Sequence, residues 1–290
     1  KYYNLSINKS EKETKANITF PLIEPNKPCK FKDLFTLQEN KTYKKNKLNI
    51  KLINELINNL DKYSIKLYSL LQNINNLDTI GKIFIYSSFV DQKAGGGKLI
   101  ALLLETIGFQ RKVYKKNKLI TKNYFNNDSI KRNNKFYIRL DGSTNENERN
   151  FYINQFNSVN NTDGNNIQII IGSTNLFEGV SLFSIREIHI LEPWYNTSRY
   201  QQIIGRGTRQ CSHKHLDFEH RNLTIYNYIA VSNSNIFDKK HSTSYKKVIK
   251  QNIDNIDIDI RKLQISIQKQ YEIKQIETLL QYNAIDCLLN

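Results

Sequence analysis

The 290-residue chain contains no methionine, one tryptophan, four prolines and three cysteines. Cys29, Cys211 and Cys287 are odd in number and far apart. That excludes the paired framework of a small secreted scaffold and suits free thiols in a reducing compartment. No apolar run reaches the roughly 18 residues of a membrane-spanning helix. The opening KYYNLSINKSEKE lacks the apolar core of a secretory leader. These absences predict a soluble, intracellular protein with no membrane partner. A chain that starts at Lys1 and holds no methionine reads as a segment of a longer polypeptide.

Acidic residues are scarce too. Asp and Glu number 27 against 43 Lys and Arg, for a formal net charge of +16. Such an excess attracts polyanions, nucleic acid before membrane. A Lys- and Asn-rich composition inherited from an AT-rich genome produces the same count without implying a partner, so the motifs have to decide.

Residues 1–47, with Pro21, Pro25 and Pro28 among scattered charges, have the composition of a linker or N-terminal extension. From 48 onward Leu52, Leu56, Leu60, Leu67, Leu70 and Ile74 recur near helical spacing. Short apolar runs at 82–89, 136–140, 167–171, 188–191 and 222–231 then read as strands. Between them lie helical patterns, one opened by the capping-box pair Ser143 and Glu146. Alternating strands and helices are the signature of a parallel α/β sheet, placed here in one domain over 48–231. Residues 232–290 contain neither Gly nor Pro, and Ile273, Ile276, Leu279 and Leu280 form an apolar stripe, which predicts a helical C-terminal extension.

Chemistry concentrates in IIIGSTNLFEGVSLFSIREIHILEPWYNTSRYQQIIGRGTR, residues 169–209. One strand breaks at Gly172-Ser173-Thr174-Asn175 and the next at Pro193. The stretch closes with Gln202-x-x-Gly205-Arg206-x-x-Arg209. On a single helix Gln202, Arg206 and Arg209 share one stripe, and Tyr200, Ile203, Ile204 and Gly207 share the opposite one. The strand ends and the arginine helix are therefore expected along one edge of the sheet. Ser87 and Ser88, ending the strand over 82–89, suit either a phosphate contact or a helix cap.

Other constellations carry less. Gly95-Gly96-Gly97-Lys98 is not a phosphate loop, because Gln92 and Leu99 stand where that pattern needs a glycine and a hydroxyl; the glycines suit a tight turn into a helix. Cys211, His213, His215 and His220 lack the ligand spacing of a zinc site, and no metal is expected there. Residues 111–135 interleave lysines with Tyr114, Tyr124 and Phe125, a pattern able to grip phosphates and stack bases. A solvated insertion explains the same composition and is the simpler reading. Trp194, after Pro193, is expected to pack at the sheet edge.

At these residues the chain resembles the second RecA-like domain of superfamily 2 helicases and translocases. Gln202 to Arg209 is similar to that family's motif VI, GSTNLFEGV to its motif V, and KIFIYSSF to its motif IV. The wording EPWYNTSRYQQIIGRGTRQ is most similar to nucleoside triphosphatases of large cytoplasmic DNA viruses, the poxvirus phosphohydrolase I and early-transcription-factor group. LDGSTNENER resembles the segment between motifs IV and V in those enzymes and in chromatin remodellers. The resemblance spans about 35 to 231.

What the resemblance implies is a three-layer RecA-like parallel sheet that is the C-terminal motor half of a nucleic-acid-dependent ATPase, in viral transcription or genome handling, in the host cytoplasm or a virion. Arg206 and Arg209 would be its catalytic arginines, oriented by Gln202. Glu178 and Gly179 would contact nucleotide, although the family places its acidic residue after that glycine rather than before it. Ser87, Ser88, Ser173, Thr174 and Asn175 would contact DNA or RNA. There is no Gly-x-x-x-x-Gly-Lys-Thr and no Asp-Glu-x-x box. ATP with Mg would then be bound mainly by an upstream RecA-like domain of the same polypeptide, and 1–290 alone should not hydrolyse it. The competing reading is a non-enzymatic RecA-like module that only binds nucleic acid or an RNA polymerase.

Overall fold

A computed structural model of the chain describes residues 18, 21–24, 27–28, 30–37, 43–45, 50–75, 81–90, 96–125, 133–142, 144–173, 179–231 and 258–283. Two antiparallel pairs, β1 (Leu22–Glu24) with β2 (Lys27–Pro28) and β3 (Phe35–Leu37) with β4 (Tyr43–Lys45), lie on either side of the one-turn helix α1 (Phe31–Leu34). Three helices follow: α2 (Ile50–Asn58), α3 (Leu60–Tyr63) and α4 (Ile65–Asn75). Of the predicted leucine stripe, Leu56, Leu60, Leu67, Leu70 and Ile74 are buried.

The sheet is built from β5 (Lys82–Tyr86), β6 (Gln110–Lys115), β7 (Lys118–Thr121), β8 (Phe136–Arg139), β9 (Ile169–Gly172), β10 (Ile185–Ile190) and β11 (Thr224–Asn227). Their order is β11-β10-β5-β9-β8-β6-β7, parallel throughout except that β7 returns antiparallel to β6. The connecting helices are α5 (Gly97–Thr106), α6 (Glu146–Asn157) and α7 (Thr197–Gly205).

Strand alternation divides the core into two layers. Ile83, Ile85, Ile169 and Ile171 face α4 and α5, in one apolar cluster with Leu67, Leu70, Leu99 and Leu103. Phe84, Tyr86, Ile170, Ile188 and Ile190 face the other way, packing with Tyr152, Phe156 and Ile203 of α6 and α7. Strands covered on both faces must be apolar at every position, which is why these runs are continuous rather than alternating. The result is the expected three-layer RecA-like α/β arrangement.

Three local expectations need correction. Part of the stretch read as linker is core: Phe31, Leu34 and Phe35 are buried, and Phe35 packs on Phe125 at 5.5 Å between ring centroids. The cap of α6 is Asn145, whose Oδ1 accepts from Glu148 N at 2.8 Å; it stands in extended conformation directly before the first helical residue, whereas Ser143 is two residues too early and lies outside the described residues. Within the insertion, residues 110–121 form the hairpin β6–β7. Tyr124 and Phe125 cannot stack bases, because both are buried and their amides are held by the Glu105 carboxylate at 2.7 and 2.8 Å.

The glycine turn is as expected. Gly96 caps α5, and Gly97 N donates to Phe89 O at 2.9 Å. A Cβ on Gly96 would sit 2.1 Å from that same carbonyl oxygen, so no other residue fits.

The C-terminal helix α8 (Ile258–Tyr282) docks by its first half only. Asp259 is paired with Lys66 of α4 and accepts from Ala230 N at 3.0 Å, while Lys262 lies over the Tyr195 ring. The apolar stripe singled out from sequence faces solvent instead: Ile273, Ile276, Leu279 and Leu280 are all exposed. Among the described residues, no helix is long and apolar enough to cross a membrane.

Candidate functional site

Because six of the seven strands are parallel, their carboxyl ends lie along one sheet edge, where open α/β sheets bind ligands. Ser87 follows β5, Asp141 follows β8, Ser173 follows β9 and Glu192 follows β10. Thr174, Asn175 and Glu178 lie outside the described residues.

Glu192 organises this edge. It is 4% exposed, and its carboxylate accepts from Ser87 Oγ at 2.9 Å and from Ser88 N at 2.7 Å. The expectation for Ser87 is corrected accordingly. A buried carboxylate must be hydrogen-bonded, and Ser87, itself 2% exposed, turns inward to supply that bond while its oxygen accepts from Phe89 N at 3.2 Å. Neither serine caps the following helix, which Gly96 does. Ser88 and Ser173 remain half-exposed at the edge. Arg139, ending β8, is locked by Asp141 at 2.5 Å and by Tyr124 Oη at 2.9 Å. Burial opposes its charge, but Tyr124 and Asp141 prevail and raise its pKa.

The arginines are elsewhere. Helix α7 starts at the carboxyl edge, with Asn196 Oδ1 accepting from Arg199 N at 3.3 Å, and runs back across the sheet. It ends at Gly205, so Arg206 is its C-cap and Arg209 sits in the turn beyond rather than on the helical stripe. Gly207 makes the turn possible: a Cβ there would meet Ile188 at 3.3 Å and Ile185 at 3.5 Å. Ile185 begins β10 and pairs with Lys82 at the start of β5, which marks the amino edge. Gln202 and Arg209 are exposed, and Arg206 is half-buried. The expected single edge therefore resolves into two places, a carboxyl edge with Ser88, Ser173 and Glu192 and a sheet face near the amino edge with Arg206 and Arg209.

The segment leading into β10 braces the arginines. Arg209 Nη1 donates to Ser181 Oγ at 2.7 Å, Arg206 Nη1 approaches Val180 O at 3.4 Å, and Leu182 N donates to Arg206 O at 2.9 Å. Asn157, ending α6, clamps the same segment by donating to Ser181 O at 2.8 Å and accepting from Phe183 N at 2.9 Å. Gly179, just upstream, has φ +76°, a left-handed conformation that favours glycine, and is exposed. His213 donates from Nε2 to Ile185 O at 2.7 Å, a bond that serves the turn. Trp194 packs at the edge as expected, under the Arg199 guanidinium at 4.1 Å.

Sequence reasoning missed Glu192 and Ser181. A carboxylate immediately after a continuous apolar strand is a signal that it will be buried and in need of donors. Nothing local marks Ser181.

Residues 66–211 match the helicase conserved C-terminal domain family. Protein R563 of Acanthamoeba polyphaga mimivirus, named as an ATP-dependent RNA helicase, is 33% identical over 199 residues, covering 66% of this chain and 31% of its own length. Helicase 087L of Invertebrate iridescent virus 3 is 30% identical over 250 residues, 84% of this chain and 22% of its own. Nucleoside triphosphatase I of Choristoneura biennis entomopoxvirus is 30% identical over 138 residues, 48% and 18%. The chain thus spans less than a third of each of these relatives.

Proposed function

The chain belongs to the helicase conserved C-terminal domain family, and from that premise we propose that it is the second motor half of a nucleic-acid-dependent ATPase of viral type. Its carboxyl edge serves DNA or RNA, and its arginine face serves the triphosphate. The observation that carries this reading is the separation of the two sets. Ser88 and Ser173 lie at strand ends, where hydroxyls and amides meet a phosphate backbone. Arg206 and Arg209 converge on Val180 and Ser181 at the other end of β10. One half-motor can then touch track and fuel at once.

Phosphoryl transfer builds charge on the γ-phosphate oxygens, and a guanidinium placed against them is worth about three to five powers of ten in rate. Arg209, exposed and aimed by Ser181, fits that role. Arg206 fits a paired role, with its backbone fixed to Leu182 and its side chain steered by Val180 O. Gln202, one helical turn before Arg206, would orient them or the attacking water. Glu178 and Gly179 belong to the nucleotide contact in this reading. In this reading ATP and Mg are held mainly by an upstream RecA-like domain. Residues 48–231 would be the motor domain and 232–290 an appendage available to a further partner such as an RNA polymerase.

The test is Arg209→Ala in the full-length protein. Nucleic-acid-stimulated kcat should fall by about a thousandfold or more, with nucleic-acid affinity within twofold of wild type. Turnover within about threefold of wild type would replace this reading with that of a non-enzymatic binding module.

A further inference from the structure

The hairpin β6–β7 is explained by neither the sheet nor the arginine face. Its strands pair in the register Lys112 with Thr121, Val113 with Ile120, Tyr114 with Leu119 and Lys115 with Lys118. Lys122 N donates to Arg111 O at 3.0 Å, extending the ladder by one pair. The two central residues Lys116 and Asn117 have φ of 49° and 60°, a two-residue turn that matches the twist of its strands. From 110 to 122 there are six basic residues and no acidic one.

Pleating sorts these residues by face. Tyr114 and Leu119 turn inward onto the α6 side of the core, where Tyr114 packs on Phe151 at 4.9 Å. The opposite face carries Arg111 against Lys122 and Lys115 against Lys118, separated by Val113 and Ile120. Like charges directly opposed across a ladder are destabilising, and Lys115 and Lys118 are such a pair, whereas the Arg111 guanidinium is turned onto the Tyr124 ring at 4.2 Å. Lys115, Lys116, Lys118 and Lys122 are exposed, and none of the described carboxylates forms an ion pair with them.

The hairpin also has a direction. Gln110 and Arg111 pair in parallel with Phe136 and Tyr137 of β8. Lys115 therefore runs about two residues, roughly 7 Å, past the carboxyl end of β8. The turn projects beyond the edge that holds Ser88, Ser173 and Arg139. We propose that β6–β7 is a wing that grips the phosphate backbone of nucleic acid alongside that edge, through the opposed Lys115 and Lys118 together with Lys116 and Lys122. Tyr124 and Phe125 are buried, so the grip uses charge without base stacking and is indifferent to sequence. This inference rests on the nucleic-acid reading of the carboxyl edge.

Neutralised phosphates release counterions, so each contact adds about 0.9 to the slope of log affinity against log salt on duplex DNA and about 0.7 on single strands. Labelled duplex and single-stranded oligonucleotides should be titrated with residues 1–290 at several salt concentrations. Lys115→Gln/Lys118→Gln should lower that slope by about 1.4 to 1.8 and weaken binding at least tenfold at low salt, while raising or preserving the urea midpoint because an opposed pair is relieved. Lys32→Gln/Lys269→Gln, an equal charge change at exposed positions outside the hairpin, should leave the slope unchanged. An unaltered slope in the hairpin variant, with wild type binding normally, would make these lysines edge-strand protection against aggregation and overturn the wing alone. No binding by wild type would overturn the wing and the nucleic-acid reading together. Equal losses in both variants would assign the effect to net charge and also overturn the wing.

Discussion

Glu192 and Ser88 join the ends of two neighbouring strands: the carboxylate beyond β10 accepts the backbone N–H beyond β5 at 2.7 Å, while its other oxygen takes the Ser87 hydroxyl. The loop after β5 therefore holds its shape by a charge-assisted bond to the loop after β10, and Ser88 is presented at the edge with its backbone already fixed.

Glu192→Gln keeps the shape but turns an amide NH2 toward one of those two donors. The urea midpoint should fall by the equivalent of about 1–3 kcal/mol, the cost of a buried group left unsatisfied, with the slope of the transition unchanged. Adding Ser87→Ala should recover part of the loss, because it removes one of the opposed donors. Strict additivity of the two substitutions would show that the pair is not coupled.

Glu105 performs a similar task inside the core. It is fully buried and accepts from Tyr124 N, Phe125 N and Tyr137 Oη, the last at 2.8 Å. Burial, followed by the Glu105 charge, raises the Tyr137 pKa well above its ordinary value, so this tyrosine stays a donor. Glu105→Ala should accelerate hydrogen exchange at the Tyr124 and Phe125 amides more than at Ile170, which lies mid-strand in β9. Uniform acceleration across the sheet would mean global destabilisation instead of release of the segment that follows the hairpin.

His189 should set an acid limit on stability. Its Nδ1 lies 2.7 Å from Tyr228 Oη and its Nε2 3.0 Å from Glu187 Oε2. Tyr228 accepts from Asn73, which leaves its own proton for Nδ1, so the bonds are satisfied by neutral imidazole with the proton on Nε2. Burial lowers the His189 pKa below its ordinary 6.5, against the pull of Glu187. The unfolded chain thus takes up a proton before the folded one does. The contribution is fully present above pH 6.5 and is lost as the pH falls below it, at up to about 1.4 kcal/mol per pH unit. Urea melts between pH 7.5 and 5 should show this decline, reduced in His189→Gln. An identical decline in the variant would assign it to other groups.

Arg206 and Arg209 should differ in how they fail. Each alanine variant of the full-length protein should lose most of kcat with little change in nucleic-acid affinity, since an arginine acting on the transferring phosphate counts mainly in the transition state. Arg206→Ala should cost more stability, because Arg206 is half-buried and Arg209 exposed. Arg209→Lys should rescue poorly, an ammonium being unable to present the planar fork of a guanidinium. Near-complete rescue by lysine would indicate a charge requirement without geometry.

Local pattern was enough for the sheet. Runs such as IFIY in β5 and III in β9 are apolar because both faces of each strand are covered, and that requirement is written residue by residue. The turn at Gly96 was legible too, since a backbone that approaches a carbonyl this closely accepts only glycine. The chain by itself could not say which end of the sheet each motif occupies. Spacing places Gln202, Arg206 and Arg209 on one stripe, but whether that stripe returns to the strand ends or crosses to the other edge depends on the direction of α7 and on where it stops. Those are set by the contact of Gly207 with Ile185 and Ile188, residues about twenty positions away. Ser87 turning inward to Glu192 and Tyr124 and Phe125 sinking onto Glu105 share that cause. Each is decided by a partner distant in sequence, and a polar or apolar side chain carries no local mark of which partner the fold will bring to it.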